Sequence, residues 1–545
     1  MEAKEFNLLQ EPWIKVLLPD STETKVSLLT LFKNAHQYSA LAGETETQNA
    51  AMLRLLLSVS ITIMYRYDIH GDEILLTEDD DPNNVVKRWI DYWQLGQFPY
   101  FIYEKYLTKY EDRFWLFDDT YPFFQNGGLN KGTEYDAKCL FGDLKESNNT
   151  ATRHHFSLRE SKCLERLDYD EAARWLIFLQ NYSVNVKKYQ KDPNMPGDIH
   201  SCVGPLGVLG FFYIQGSNLY ETIMLNSTLL KNGNEAFGNP NPIWEMQPDD
   251  QQYVEIYPDN LPQYYTMQCR RVELKNNNGF VGKFLSMIGE VNSLDTDLEQ
   301  MTIWHEVKKE GIRPKTHDFS KESWQEFPAL FDIEEKVRKP GLICWIKKIK
   351  NELDDKNDRE TSISSKSISN IVKIVSVGQR YYGSTKFILD EMYYDSLSLS
   401  SDLLSDKGVI WIEMISKEVL NCQSVAQQIN NSAKDISKFL YGQVNTNISN
   451  KLKSDYYFRI NTLFKEWLLS IDPNTSDEME TITKWEKISL NMALKTVEEY
   501  VWRFNTELFE QREIQNKIYA LPDILNKYSN NIYKIYPILK GEDHE

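Results

Sequence analysis

His154 and His155 are adjacent in the chain, and such a pair could ligate a metal or trade a proton. Without an Asp, Glu or Cys beside them at ligand spacing, they read as a surface loop. His70-Gly-Asp72-Glu73 offers a second set of donors, but it lies in an acidic stretch and reads as a turn. Gly279-Phe-Val-Gly282-Lys283 has the glycines and lysine of a phosphate loop at too short a spacing, with Phe284 where a hydroxyl is required. A hairpin strand accounts for it better. The cysteines at 139, 163, 202, 269, 344 and 422 form no CxxC, which argues for reduced, mostly buried thiols. GxSxG, HExxH and kinase signatures are all missing. A hydrolase or transferase built on unrecognised carboxylates and His154-His155 is the alternative to a binding role.

Two segments suit binding better than catalysis. Residues 301–350 hold 11 Lys and Arg against 8 Asp and Glu, grouped as Lys308-Lys309, Arg313-Pro-Lys315, Lys336-Val-Arg338-Lys339 and Lys347-Lys348-Ile-Lys350. A cationic strip of this kind can neutralise a few phosphates, although solvated helix faces look alike. Gly378-Gln-Arg-Tyr-Tyr-Gly-Ser-Thr-Lys386 joins two aromatics, two cations and two glycines, a loop suited to stacking on or wedging into a nucleic acid.

These segments belong to a chain of 545 residues with a formal charge of -19, which excludes indiscriminate coating of nucleic acid. The acid is unevenly spread, since residues 71–120 hold 12 acidic against 5 basic side chains. With 41% hydrophobic and 13% aromatic residues the composition is globular, and disordered, collagen-like and coiled-coil classes are excluded. No run of about 18 apolar residues occurs, so a soluble, cytoplasmic protein without membrane contact is expected.

The elements that must carry these residues follow from periodicity. Residues 6–17 and 26–32 read as short strands or turns, and 46–65 as an amphipathic helix with Ala50, Leu53, Leu56, Leu57 and Ile61 on its apolar side. Asp168-Tyr-Asp-Glu171 has capping-box spacing before a helix whose stripe is Ala172, Trp175, Leu176 and Leu179. Residues 264–274 and 280–287 read as strands of a hairpin turning at Asn276-Asn-Asn-Gly279. The polar stretch 351–369 reads as a linker. Beyond it apolar spacings of three and four predict long antiparallel helices. The expected class is α+β: a large mixed α/β N-terminal domain over 1–365, then a C-terminal four-helix bundle over 366–545.

Several separated segments resemble one family in order. They are Phe6-Asn-Leu-Leu-Gln-Glu-Pro-Trp13-Ile, Leu41-Ala-Gly-Glu-Thr-Glu-Thr-Gln48 through Arg54, Tyr121-Pro-Phe-Phe-Gln125, Glu171 to Gln180, Gly216 to Asn226, Met267-Gln-Cys-Arg270-Arg271, and Val377-Gly-Gln-Arg-Tyr-Tyr-Gly through Asp395. The set is similar to the CasA family, the large subunits of the type I-E CRISPR surveillance complex Cascade.

The resemblance implies a non-catalytic, RNA- and DNA-binding subunit in antiviral defence. Its partners would be CasB, CasC, CasD and CasE, a CRISPR guide RNA, a double-stranded DNA target and a helicase-nuclease effector. Such a subunit recognises the protospacer-adjacent motif (PAM), helps start duplex unwinding and R-loop formation, and offers a docking surface to the helicase-nuclease. Carried onto this sequence, the PAM contacts are Gly204, Gly207, Lys308 and Lys309, and the wedge is Tyr381, Tyr382, Gly383, Ser384, Thr385 and Lys386. Where familiar members carry Gln or Asn in the wedge, this loop has no amide after Gln379. A guide-handle loop would hold Asn149, Arg153, His154, His155 and Phe156. The four-cysteine zinc site of some members is missing, so no metal or cofactor is expected.

Overall fold

The computed structural model describes residues 4–129, 132–140, 166–184, 186–187, 200–201, 203–246, 258–288, 298–331, 337–359, 366–381, 389–503, 511–514 and 517–539. The chain divides into two compact units, Met1–Ser320 with Glu334–Ser396, and Lys321–Ile333 with Leu397–Glu545. The division falls after Ser396 rather than at 365, for a reason visible in the sheet. Strand Ile371–Tyr381 pairs antiparallel with Phe211–Gln215, Val375 opposite Tyr213, and so belongs to the first unit. The stretch read as a linker begins as the end of helix Gly341–Arg359, where Leu353 is buried and Asp354 pairs with Lys350.

In the first unit helix Glu46–Arg66 is buried on every side from Thr47 to Tyr65, and is not the amphipathic helix its apolar spacing suggested. Thr45 caps it by accepting the Gln48 N–H. Several of its polar residues find partners inside the protein instead of facing water: the Asn49 side-chain oxygen accepts the Gly43 N–H and the Gln48 side-chain oxygen the Glu44 N–H, while Gln48 Nε2 and Ser60 Oγ are buried without a hydrogen-bond partner among the described residues. Helix Tyr169–Tyr182 forms where the stripe placed it, with Asp168 at its N-cap, although the Asp168 side chain makes no capping hydrogen bond.

The Asn-Gly hairpin also forms. Arg270–Asn276 pairs with Val281–Ile288, and the turn uses positive φ at Asn278 and Gly279. Lys283 lies on its second strand, paired with Glu134 at 2.6 Å. Residues 261–266, part of the expected strand, are instead a short helix, started by Asn260 and by Pro262 in its first turn. Likewise Leu28–Asn34 is helical because Ser27 caps it.

The second unit is dominated by helices Val409–Tyr441, Thr446–Leu469, Glu478–Val501 and Leu521–Ile535. Short connections at 442–445 and 470–477 make the first three successive antiparallel neighbours. Ile412, Ile415, Val419, Cys422, Ile460, Phe464, Trp467, Leu468, Leu490, Val497 and Val501 line the interior. Trp324 stacks on Phe464 at 4.4 Å and donates to Asn461, which explains why 321–333 belongs with this unit. Among the described residues no helix is long and apolar enough to cross a membrane.

Candidate nucleic-acid interface

Strand Phe211–Gln215 is where separated segments meet. The Gly210 N–H donates to the Lys315 carbonyl at 2.9 Å, and the Phe212 N–H to that of Met301 at 3.1 Å. These bonds root a two-stranded hairpin, Ile303–Val307 paired with Gly311–Lys315. Lys308, Lys309 and Glu310 form its exposed tip. The reversal needs left-handed backbone at Lys309 (φ 74°) and Gly311 (φ 76°). Arg313 stands on the same hairpin, half exposed, with the Glu310 carboxylate 3.9 Å away. His305 faces Arg313 across the strands; partial burial, then the nearby Lys315, holds its pKa below the usual histidine value.

The Gly204–Gly207 turn reaches the same place from the other side, because it leads directly into Gly210. Both glycines are buried. A Cβ on Gly204 would lie 2.4 Å from the Asn181 carbonyl oxygen, and one on Gly207 2.2 Å from the Tyr381 hydroxyl. Close packing inside the chain thus already requires glycine at both positions. Tyr381 is the last described residue of its strand; its hydroxyl donates to the Tyr182 carbonyl at 2.9 Å, and burial pushes its pKa well up. Its ring supports the turn instead of standing at a hairpin tip. Tyr382, Gly383, Ser384, Thr385 and Lys386 lie outside the described residues, as do Asn149, Arg153, His154, His155 and Phe156.

The cationic strip of 301–350 does not form one face. Lys350 is buried and bonded to Asp354 at 2.9 Å. The Arg338 guanidinium lies 4.6 Å over Trp304 and bonds the Asn232 side-chain oxygen. Outside that strip, Arg380 of the 378–386 segment is neutralised by Asp390 and Glu391. The lysines at 308 and 309 are the pair the fold turns outward at a tip.

Sequence reasoning missed what holds the hairpin's root. Arg54, within the buried helix, pairs with Glu299 at 2.5 Å, both side chains 1% exposed. Its guanidinium is enclosed by Tyr265, Phe211 and Tyr264 at 4.6, 5.3 and 5.5 Å. The other Glu299 oxygen accepts the Met301 N–H at 2.8 Å, two residues before the hairpin. The available signal was Arg54 itself, four residues after Ala50 on the apolar stripe, where a charge demands a buried counter-charge.

Comparison with known proteins gives this geometry a context. The family described as CRISPR-associated protein Cse1 matches residues 7–496. A CasA/Cse1 protein of Thermus thermophilus is 27% identical over 247 residues, a match that spans 45% of this chain and only 43% of the relative. The crystal structure of Thermobifida fusca Cse1 superposes with a TM-score of 0.79 at 23% identity, covering 98% of both chains. A chain of a CRISPR RNA-guided surveillance complex gives 0.71 at 13% identity, covering 97% of this chain and 99% of that one. With a family match that runs through nearly the whole sequence, the chain belongs to the CRISPR-associated protein Cse1 family.

Proposed function

We propose that this protein is the large, non-catalytic subunit of a Cascade-type guide-RNA complex, and that it inspects double-stranded DNA for a PAM through the 303–315 hairpin. The carrying observation is the convergence on one strand of the Gly204–Gly207 turn, the strand ending at Tyr381 and the hairpin that exposes Lys308 and Lys309. In this reading the lysines reach the edge of the PAM. The buried glycines and Tyr381 keep the hairpin's base rigid, residues 382–386 act as the wedge that begins R-loop formation, and residues 149–156 meet the guide handle. Docking of a helicase-nuclease completes the role. Similarity to a chain of an RNA-guided surveillance complex supports assembly with other Cascade subunits and a guide RNA.

A net acidic protein suits this task, since few phosphate contacts let wrong DNA leave quickly while guide pairing reads the sequence. Lys308→Ala with Lys309→Ala, assembled into the complex, is expected to weaken PAM-dependent DNA binding and to reduce the slope of log affinity against log salt by up to about 2. A binding curve unchanged at matched salt removes the hairpin from the site.

A further inference from the structure

The described structure holds a cavity of about 580 Å³, well away in sequence from the hairpin. Its walls come from the end of helix Leu28–Asn34, the turn Ala35–Gln37 and the start of helix Tyr100–Lys109. Phe101 is 53% exposed there, so its ring presents an apolar face at the cavity. Gly71 packs behind it, where any Cβ would come within 2.9 Å of the ring. Phe98, packed against Phe32, Tyr103 and Tyr220 at 5.4, 4.9 and 4.8 Å, gives the cavity a rigid floor.

The polar lining is selective. Lys33 places its ammonium 5.3 Å over the Tyr100 ring, whose hydroxyl donates to Glu104 at 3.0 Å, and the amide residues Asn34, Gln37 and Gln97 are part of the wall, Gln37 with its Nε2 3.3 Å from His36 Nε2. His36 Nδ1 is buried and has no hydrogen-bond partner among the described residues. No Asp or Glu lines the cavity, although residues 71–120, which supply half its wall, carry 12 acidic against 5 basic side chains.

We propose that this cavity takes one unpaired nucleotide of a single-stranded nucleic acid, its base against Phe101 and its phosphate beside Lys33. Amides offer both donors and acceptors to a base edge, an exposed ring offers a stacking face to any base, and an exposed lysine offers a phosphate contact. An apolar side chain from a protein partner would instead leave the amides and Lys33 desolvated and unmatched. The assignment does not depend on the hairpin reading.

The test is fluorescence anisotropy of the full chain with a short labelled oligodeoxyuridylate, and with oligouridylate in a parallel arm. Phe101→Ala, a change at an exposed position, is expected to weaken binding about five- to a hundredfold, the usual value of one stacked base. Lys33→Gln is expected to weaken it less and to lower the salt slope by about 0.7. Lys308→Ala with Lys309→Ala should bind the strand as the unaltered protein does, which separates this site from the hairpin. Binding in either arm that Phe101→Ala weakens supports the assignment, and the tighter arm identifies the sugar. Equal affinity of Phe101→Ala and the unaltered protein, loss of binding in the hairpin variant alone, or no binding in either arm overturns it.

Discussion

Each unit buries a charged group, and the two are handled in opposite ways. In the first, Arg54 meets Glu299, whose carboxylate also accepts from Tyr264 and the Met301 backbone. In the second, Glu418 on helix Val409–Tyr441 is 1% exposed and the charge that acts on it most is another carboxylate, Glu486 on helix Glu478–Val501. One oxygen of each glutamate is buried without a hydrogen-bond partner among the described residues. Asn421 donates to Glu418 at 2.9 Å, and Lys417 offsets part of the repulsion. Burial first and Glu486 second push the Glu418 pKa up to about 8. An opposite-charge pair fixes geometry at all ordinary pH, whereas a like-charge pair makes its surroundings answer to protons.

Three substitutions break or sharpen that contrast. Glu299→Gln leaves the Arg54 charge buried and unmatched, and is expected to cost about 3–5 kcal/mol. Thermal unfolding of the full chain should show a large drop in midpoint; an unchanged midpoint would mean that Arg54 finds water or another partner.

The second change acts through pH. A carboxyl whose pKa is raised in the folded state contributes fully below its unfolded value, near 4.5, and that contribution is lost as pH climbs toward about 8. Denaturant unfolding of the unaltered protein should therefore weaken across this window by at most about 1.4 kcal/mol per pH unit. In Glu418→Gln this component of the slope should vanish, making the variant the more stable protein near pH 8. Identical pH profiles would refute the like-charge account. Smallest is Tyr264→Phe, which removes a neutral hydroxyl from Glu299 and should cost about 1 kcal/mol in the same unfolding measurement. A loss as large as that of Glu299→Gln would show that the hydroxyl, not the guanidinium, holds the carboxylate.

The bundle was legible because its information is local. Apolar residues three and four apart mark an inward stripe whatever lies beyond the helix, and Ile415, Val419 and Cys422 are fully buried as their spacing requires. The Asn276–Gly279 turn was legible for a related reason, since few residues tolerate its backbone. The interface was legible only in pieces. Gly210 meets Lys315, and Tyr381 meets Tyr182, through bonds to backbone carbonyls that any residue carries, so no side-chain pattern advertises them. The glycines drew notice for the right rarity, yet Asn181 and Tyr381 supply their close neighbours inside the chain. Helix Glu46–Arg66 misled in the opposite direction, because Gln48 and Asn49 look like a wet face until their internal partners are known.

Lys309 carries a side chain through a backbone region that glycine or asparagine occupies at less cost, a difference of roughly 1–2 kcal/mol for an ordinary residue. A laboratory selection of this protein for heat resistance alone would therefore favour Gly or Asn at that tip, and would discard one of the two outward charges as it did so. If the hairpin reads DNA as proposed, improvement by that criterion and competence on DNA would pull the same residue in opposite directions.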